Sequence, residues 1–218
     1  IPRARVELHL LVEGTMNSYS QCGEDAIAWF WLKYKRAGRY VDIGANDPVL
    51  YSNTAWFHEN GWHGVLVDPL LNRCEQLRTA RPGDMVLQCA GGPWPSPVTV
   101  SVFECDTLST VSATEEYQQK GEPLVCKIEV PVKSLAAIMA LEPDADLLSV
   151  DVEGDELPVL QTGDWALHRP RIVIVETKKY REVARTSGPI TEFMRSVGYD
   201  VLADTGLNTL YALPGVLS

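Results

Sequence analysis

The strongest constraint on the fold lies in residues 40–48, which read Tyr-Val-Asp-Ile-Gly-Ala-Asn-Asp-Pro. Apolar and aromatic residues lead through one acid to a Gly-Ala-Asn turn, and Pro48 prevents regular structure from continuing. This order predicts a buried strand that ends in a loop facing a ligand. In open α/β sheets ligands bind beyond the carboxyl ends of the strands, where a small residue such as Gly44 lets a cofactor approach the backbone. Taken alone, the stretch is equally compatible with an ordinary strand and turn.

Strands and helices are predicted to alternate along the rest of the chain. Apolar runs typical of further parallel strands lie at 63–68, 84–89, 145–154 and 172–175. Helical patterns separate them at 26–35, 55–60, 70–79, 134–141, from 155, and at 190–197. Near-alternating segments predict antiparallel pairs at 98–104 with 124–132 and at 199–203 with 209–213. The pattern predicts one α/β domain with a doubly wound sheet and helices on both faces.

Four acids each follow the apolar run of a predicted parallel strand. They are Asp42, Asp68, Asp151 and Glu176. The carboxyl ends of parallel strands meet at one edge of a sheet, and unpaired like charges there are costly unless a cation or ligand hydroxyls neutralise them. Asp68 also stands at the spacing beyond the glycine loop where nucleotide-binding folds place the acid that binds ribose. The acids therefore predict a functional site at this edge.

Composition narrows the class of partner. The formal charge of −10 and the pI near 4.9 disfavour nucleic acid and anionic lipid, because the surface repels phosphate. No apolar run approaches the roughly 20 residues of a membrane helix, so no membrane span is expected. The five cysteines are odd in number and contain no C-x-x-C pair, which fits reduced thiols in a cytoplasmic protein.

Motifs in their order along the chain resemble the FkbM methyltransferases. They are Ser20-Gln21 with Gly23-Glu24-Asp25, residues 40–47, Ser52-Asn53-Thr54, Gly61-Trp62, Asp68-Pro69, Asp151-Val152-Glu153-Gly154, Glu176-Thr177, Gly198-Tyr199 and Asn208. The resemblance implies a single class I methyltransferase domain over 1–218, with 1–20 as an N-terminal arm and 98–132 as an antiparallel insertion or lid. It also implies a Rossmann-like seven-stranded sheet, mostly parallel with an antiparallel last strand. Asp68 departs from the more usual Glu, and Cys89 from the more usual Asn.

The resemblance implies that S-adenosylmethionine is the methyl donor. Asp42, Gly44 and Asn46 are then expected at its methionine end, and Asp68 at its ribose hydroxyls. A larger residue at Gly44 is expected to block the donor and leave the fold intact. Second candidates for donor contact are Ser20, Gln21, Ser52 and Asn53, which are otherwise helix caps and turn residues.

An acceptor hydroxyl is a very weak acid and needs a base, a metal ion or both. Asp151, Glu153 and Glu176 are the predicted ligands of Mg²⁺, which prefers carboxylate oxygens and water. Alternatively Glu153 acts directly as the base, or Lys178 does if burial lowers its pKa. Asp151, Glu153 and Lys178 are therefore the catalytic candidates. None of the four histidines adjoins a motif, and His58 is the one that is hardest to dismiss.

The predicted function is O-methylation of a hydroxyl on a mono-, oligo- or polysaccharide or a glycosylated natural product. A nicotinamide-dependent oxidoreductase is disfavoured because the glycine loop lacks the G-x-G-x-x-G pattern. A nucleic-acid methyltransferase would need a basic face. A non-catalytic module that binds S-adenosylmethionine stays open as an alternative, and so does a homodimer, which is common in this fold.

Overall fold

A seven-stranded sheet forms the centre of the molecule. The computed structural model describes residues 16–112, 118–177 and 187–216. In chain order, the strands are β1 (Arg39–Ile43), β2 (His63–Asp68), β3 (Met85–Gln88), β4 (Ala90–Gly91), β5 (Val98–Phe103), β6 (Leu124–Val130), β7 (Val132–Lys133), β8 (Leu147–Val150), β9 (Ile172–Glu176), β10 (Asp200–Asp204) and β11 (Asn208–Ala212). The helices are α1 (Glu24–Trp31), α2 (Ala55–Glu59), α3 (Leu71–Ala80), α4 (Leu135–Met139), α5 (Glu156–Gln161) and α6 (Pro189–Ser196).

The strand order of this sheet is β10-β11-β9-β8-β1-β2-β3. The five strands from β9 to β3 pair in parallel, and β11 runs antiparallel to both β9 and β10. The predicted doubly wound sheet with an antiparallel last strand is therefore confirmed. The order reverses between β1 and β8, which is where folds of this kind bind their ligands.

Both faces of the sheet are buried, as the continuous apolar strands require. Side chains alternate between the faces, so Val173 and Val175 contribute to one core and Ile172 and Ile174 to the other. Helices α4, α5 and α6 cover the first core, and α1, α2 and α3 cover the second. This confirms the prediction of helices on both faces.

Both ends of the first helix differ from the predicted range. The helix predicted over 26–35 begins at Glu24 and ends at Trp31, because Lys33 and Tyr34 have φ angles of 56° and 54° that a right-handed helix cannot accommodate. Lys33 and Lys35 consequently lie beyond its carboxyl end. Within the three described stretches, no helix is both long and apolar enough to cross a membrane.

A separate antiparallel pair, β5 with β6, branches from the domain between β4 and β7. The short β4 and β7 pair in parallel with each other and form the base of this branch. A 3₁₀ turn at Asp106–Leu108 follows β5 and, with residues 109–111, extends over the carboxyl end of the main sheet. The antiparallel branch therefore contributes to the wall of the cavity described next, and its role as a lid stays a prediction.

Candidate functional site

A cavity of about 630 Å³ opens beyond the carboxyl ends of β1, β2, β8 and β9. This volume lies within the usual range for small-molecule sites, roughly 300–1,000 Å³. Its base is the loop that follows β1, and residues 106–111 form part of its wall. The position is the one expected for a ligand in an open α/β sheet.

Seven of the predicted site residues line this cavity. From the donor set these are Gln21, Gly44, Asn46 and Asp68, and from the acid set they are Asp151, Glu153 and Glu176. The structure therefore brings together residues from four separate strand ends. Lys178 lies outside the described residues, so its role as a base stays a prediction.

Four donor candidates do not line the cavity and have partners within the protein. Asp42 is 4% exposed and accepts a hydrogen bond of 2.6 Å from the Thr54 hydroxyl. The Ser20 hydroxyl donates to Asp25 at 2.8 Å, and Ser52 accepts from a buried arginine, Arg81, at 2.9 Å. The remaining candidate, Asn53, donates to the Ser149 hydroxyl at 3.1 Å. These contacts support the loops around the cavity, and direct donor contact by these residues stays a prediction.

Gly44 allows two strand ends to approach each other very closely. Its φ is +84°, and a Cβ atom built on it would lie 1.7 Å from the carbonyl oxygen of Asp151. Its amide donates to the Val67 carbonyl at 2.8 Å, which fixes the turn against β2. The clash is with protein backbone, so the expectation that a side chain here would spare the fold was wrong. Gly44 sets the spacing between the loops after β1 and β8.

Gly44→Ala is expected to destabilise the domain by at least about 2 kcal/mol, from the positive φ and the collision with Asp151. At this chain length that lowers Tm by roughly 4–8 °C. Gly121→Ala is the matched control, because Gly121 has a φ of +85° and open space around it. Thermal unfolding of both variants isolates the clash. Equal losses in Tm would mean that the added methyl group at position 44 destabilises the protein only through the positive φ, and not through a clash with Asp151.

Asp68 ends β2 with both carboxylate oxygens held by backbone amides. Oδ1 accepts from the amide of Leu70 at 2.8 Å, and Oδ2 accepts from the amide of Asn46 at 2.9 Å. The side chain is 3% exposed, and burial raises its pKa to about 6 although both amides lower it. Asp68 thus fixes the positive-φ turn at Asn46 and presents its remaining lone pairs to the cavity.

Three carboxylates meet on the opposite side of the cavity. One oxygen from each of Asp151, Glu153 and Glu176 can be chosen so that all three lie within 4.8 Å of one another. Asp151 follows β8, and its buried Oδ1 has no hydrogen-bond partner among the described residues. Removal from water raises the pKa of Asp151 well above its usual range, and the charges of Glu176 and Glu153 raise it further. The cluster is therefore under electrostatic strain that a bound cation would relieve.

A buried acid that sequence reasoning missed, Glu156, holds the loop carrying Glu153. Its Oε1 accepts hydrogen bonds from the amides of Val152 at 3.2 Å and Gly154 at 2.9 Å. Glu153 between them has a φ of 55°, a conformation that needs such support. The position of Glu156 two residues after Gly154 was the available signal, since a Glu in the first turn of a helix can reach back to a preceding amide.

An ion-pair network that sequence reasoning also missed joins the wall of the cavity to α3. Arg73 donates to both oxygens of Asp106 at 2.8 Å and to Asp47 at 3.0 Å. All three residues line the cavity. Bidentate pairing of this geometry is among the stronger ion-pair arrangements. The network therefore holds the 3₁₀ turn at Asp106–Leu108 against α3 and the loop that follows β1.

Comparison with known proteins identifies the family. A family model described as a methyltransferase FkbM domain matches residues 42–201, which is more than half of the chain. The match includes the glycine loop, Asp68 and the three clustered acids. No curated protein matches the sequence.

Solved structures with a distant likeness are methyltransferases. A TehB-like SAM-dependent methyltransferase from Corynebacterium glutamicum ATCC 13032 Kitasato is 11% identical, with a TM-score of 0.48 over 90% of this chain and 89% of that chain. A putative RNA methyltransferase from Pyrococcus horikoshii is 12% identical, with a TM-score of 0.44 over 88% and 84%. The 1,6-didemethyltoxoflavin-N1-methyltransferase from Burkholderia thailandensis is 12% identical, with a TM-score of 0.43 over 87% and 74%.

These structural likenesses are too distant to carry weight, so the assignment rests on the domain match. That match confirms the resemblance seen in the motifs. The chain belongs to the FkbM methyltransferase family, and it is an S-adenosylmethionine-dependent methyltransferase.

Proposed function

We propose that this enzyme methylates a hydroxyl group of a carbohydrate or glycosylated natural product, with Mg²⁺ assisting. The observation that carries the proposal is the cluster of Asp151, Glu153 and Glu176 in the cavity wall, where a buried oxygen of Asp151 has no hydrogen-bond partner within the described part of the chain. Transfer to an amine would not need such a cluster, because a neutral amine is already nucleophilic. An alcohol needs help to lose its proton.

The donor side of the cavity fits S-adenosylmethionine. Asp68 has acceptor capacity directed into the cavity, and ribose hydroxyls are donors of matching chemistry. Gly44 and Ala45 keep the neighbouring wall free of large side chains. When bound, the cofactor supplies a methyl group already activated by its sulfonium. The protein's task is then to align the acceptor and deprotonate it.

The acid side fits a cation and an acceptor oxygen. Asp151, Glu153 and Glu176 would hold Mg²⁺, which would supply polarisation of the acceptor oxygen. We propose that Glu153 also accepts the hydroxyl proton; its position in the same wall, on a loop fixed by Glu156, supports this role. If no cation binds, Glu153 alone serves as the base, and Lys178 stays the alternative to it.

The lining of the cavity favours a neutral, hydroxyl-rich acceptor. Among the described residues, its wall contains seven acids and two basic residues, Arg73 and Lys120, so an anionic acceptor would be repelled. The Ser109 hydroxyl is buried there without a hydrogen-bond partner among the described residues. Trp94 offers an aromatic surface of the kind on which sugar faces pack. A cytoplasmic location and a homodimer stay predictions.

The test is a screen of mono- and oligosaccharide acceptors with methyl-labelled S-adenosylmethionine, in Mg²⁺ and in EDTA. We expect an O-methylated sugar in Mg²⁺ and at least a tenfold lower rate in EDTA, with S-adenosylhomocysteine affinity unchanged by titration calorimetry. Label found on nitrogen would overturn the proposed acceptor. Donor binding without turnover on any acceptor would favour the non-catalytic alternative. Full activity in EDTA would show that the reaction needs no metal ion, and Glu153 would then be the proposed base.

A further inference from the structure

A second cluster of potential ligands lies at the opposite end of the sheet. His63 begins β2, His58 lies near the end of α2, and Asp84 directly precedes β3. One nitrogen from each histidine and one Asp84 oxygen all lie within 4.8 Å of one another. Along β2, His63 is five residues before Asp68, or about 16 Å at the usual strand rise. The cluster is therefore separate from the methyl-transfer cavity.

The two imidazoles lie beside different oxygens of the Asp84 carboxylate. The Nδ1 atom of His58 lies 3.5 Å from one oxygen of Asp84, and the Nδ1 atom of His63 lies 3.4 Å from the other. Neither contact is close enough for a good hydrogen bond. Adjacent ligand atoms in a tetrahedral zinc site with bonds of about 2.0–2.1 Å are separated by about 3.3–3.4 Å. Here one atom from each of the three residues lies within 4.8 Å of the other two, which leaves space for such an ion between them.

The carboxylate of Asp84 is held in place by groups that are not ligands themselves. It is fully buried, and its two oxygens accept hydrogen bonds from the Tyr40 hydroxyl and from the Gly64 amide, the latter at 3.1 Å. Outer partners of this kind orient the carboxylates of metal sites. The buried Nδ1 of His63 has no hydrogen-bond partner among the described residues, and that nitrogen points toward the carboxylate.

We propose that His58, His63 and Asp84 bind a transition-metal ion of the Zn²⁺ type, with water as the fourth ligand. Two imidazoles and one carboxylate select zinc over Mg²⁺, which prefers oxygen ligands alone. The side chain of His63 is 45% exposed and that of His58 is 21% exposed, so the cluster lies near the surface, although the Nδ1 atom of His63 and the Asp84 carboxylate are buried. The ion ties α2, β2 and the approach to β3 together, and it takes no part in methyl transfer.

The experiment titrates Zn²⁺ into metal-free full-length protein by calorimetry and measures Tm in parallel. We expect one equivalent to bind with at least micromolar affinity and to raise Tm by mass action. His63→Gln should weaken this binding at least tenfold, and it is chosen because His63 is the most exposed member of the cluster. His168→Gln is the control, since His168 lies between α5 and β9 and outside the cluster.

Two further arms exclude other binding sites. Asp151→Asn should retain the zinc equivalent, because it alters only the acid cluster at the other end of the sheet. Co²⁺ in place of Zn²⁺ should give visible bands without an intense thiolate charge-transfer band, which would report binding to the free cysteines instead. Undiminished zinc binding by His63→Gln, a thiolate band, or no binding at micromolar zinc would each overturn the proposal.

Discussion

Asp151→Asn is expected to lower the rate of methyl transfer at least a hundredfold while changing S-adenosylhomocysteine affinity less than about threefold. Asparagine keeps the shape of the side chain but removes the charge that would hold Mg²⁺ beside the acceptor. Donor affinity should change little because the donor contacts are proposed for Gly44 and Asp68, which lie after other strands. Single-turnover rates with saturating donor measure the first effect, and calorimetry measures the second.

The same variant should also be more stable than the parent when no divalent cation is present. The folded-state pKa of Asp151 is raised, so the group contributes stability that is fully present below its unfolded pKa near 3.9. That stability is lost as the pH rises through the folded pKa, where the ionised carboxylate faces Glu153 and Glu176. In EDTA at pH 8, Asp151→Asn should therefore have the higher Tm, and added Mg²⁺ should raise only the parent's Tm.

Asp144→Asn is the matched control for this prediction, because Asp144 is exposed and lies at the amino end of the sheet before β8. It should change neither the rate nor the response to Mg²⁺. Unaltered turnover by Asp151→Asn, together with an unaltered response of Tm to Mg²⁺, would mean that the acid cluster neither binds metal nor serves the reaction.

Asp68→Ala is expected to weaken S-adenosylmethionine binding by more than tenfold. The change removes the acceptor proposed for the ribose hydroxyls and leaves the amides of Asn46 and Leu70 without their partner. Asp68→Glu should keep the affinity within about threefold, because Glu is the more usual residue at this position in the resembling family. Donor affinity that is restored in Asp68→Glu would indicate a contact between the carboxylate and the ligand.

The pH dependence of donor affinity gives an independent measure of the same contact. With a folded pKa of about 6, Asp68 is protonated at pH 5 and ionised at pH 7.5 in the free enzyme. Because the ionised form is the better acceptor, parent affinity should rise across this range and that of Asp68→Ala should not. The contribution of Asp68 to folding stability has the opposite pH dependence. Because its pKa is raised in the folded protein, this contribution is larger at low pH and is lost as the pH rises. Equal pH profiles would remove Asp68 from the ribose site.

The fold was predictable because the strands are continuous apolar runs, such as residues 172–175 of β9, that require cover on both faces. The acids of the site were predictable where a strand stops. Asp68 and Glu176 are the last residues of their strands, and Asp151 follows directly after β8. Their side chains consequently reach the cavity. For these residues, their position at the end of a strand was enough to predict that they line the cavity.

Asp42 illustrates where that reasoning failed to locate a side chain. β1 continues to Ile43, so Asp42 pairs with Leu66 and Ser149 inside the sheet and points from the same face as Tyr40. The pairing of Arg73 with Asp106 lay beyond sequence reasoning for another reason. It joins α3 to a turn after β5, and no local pattern reports a contact between two such segments.

The order of the strands along the chain determines which parts of the site can form first during synthesis. Residues of β1, β2 and β3 leave the ribosome first and can pair with one another, which brings Gly44 beside Asp68 early. The other edge of β1 stays unpaired until Leu148 arrives to lie against Val41. A nascent chain halted before β8 therefore has Gly44 and Asp68, none of the three clustered acids, and an unpaired strand edge that is prone to association with other chains.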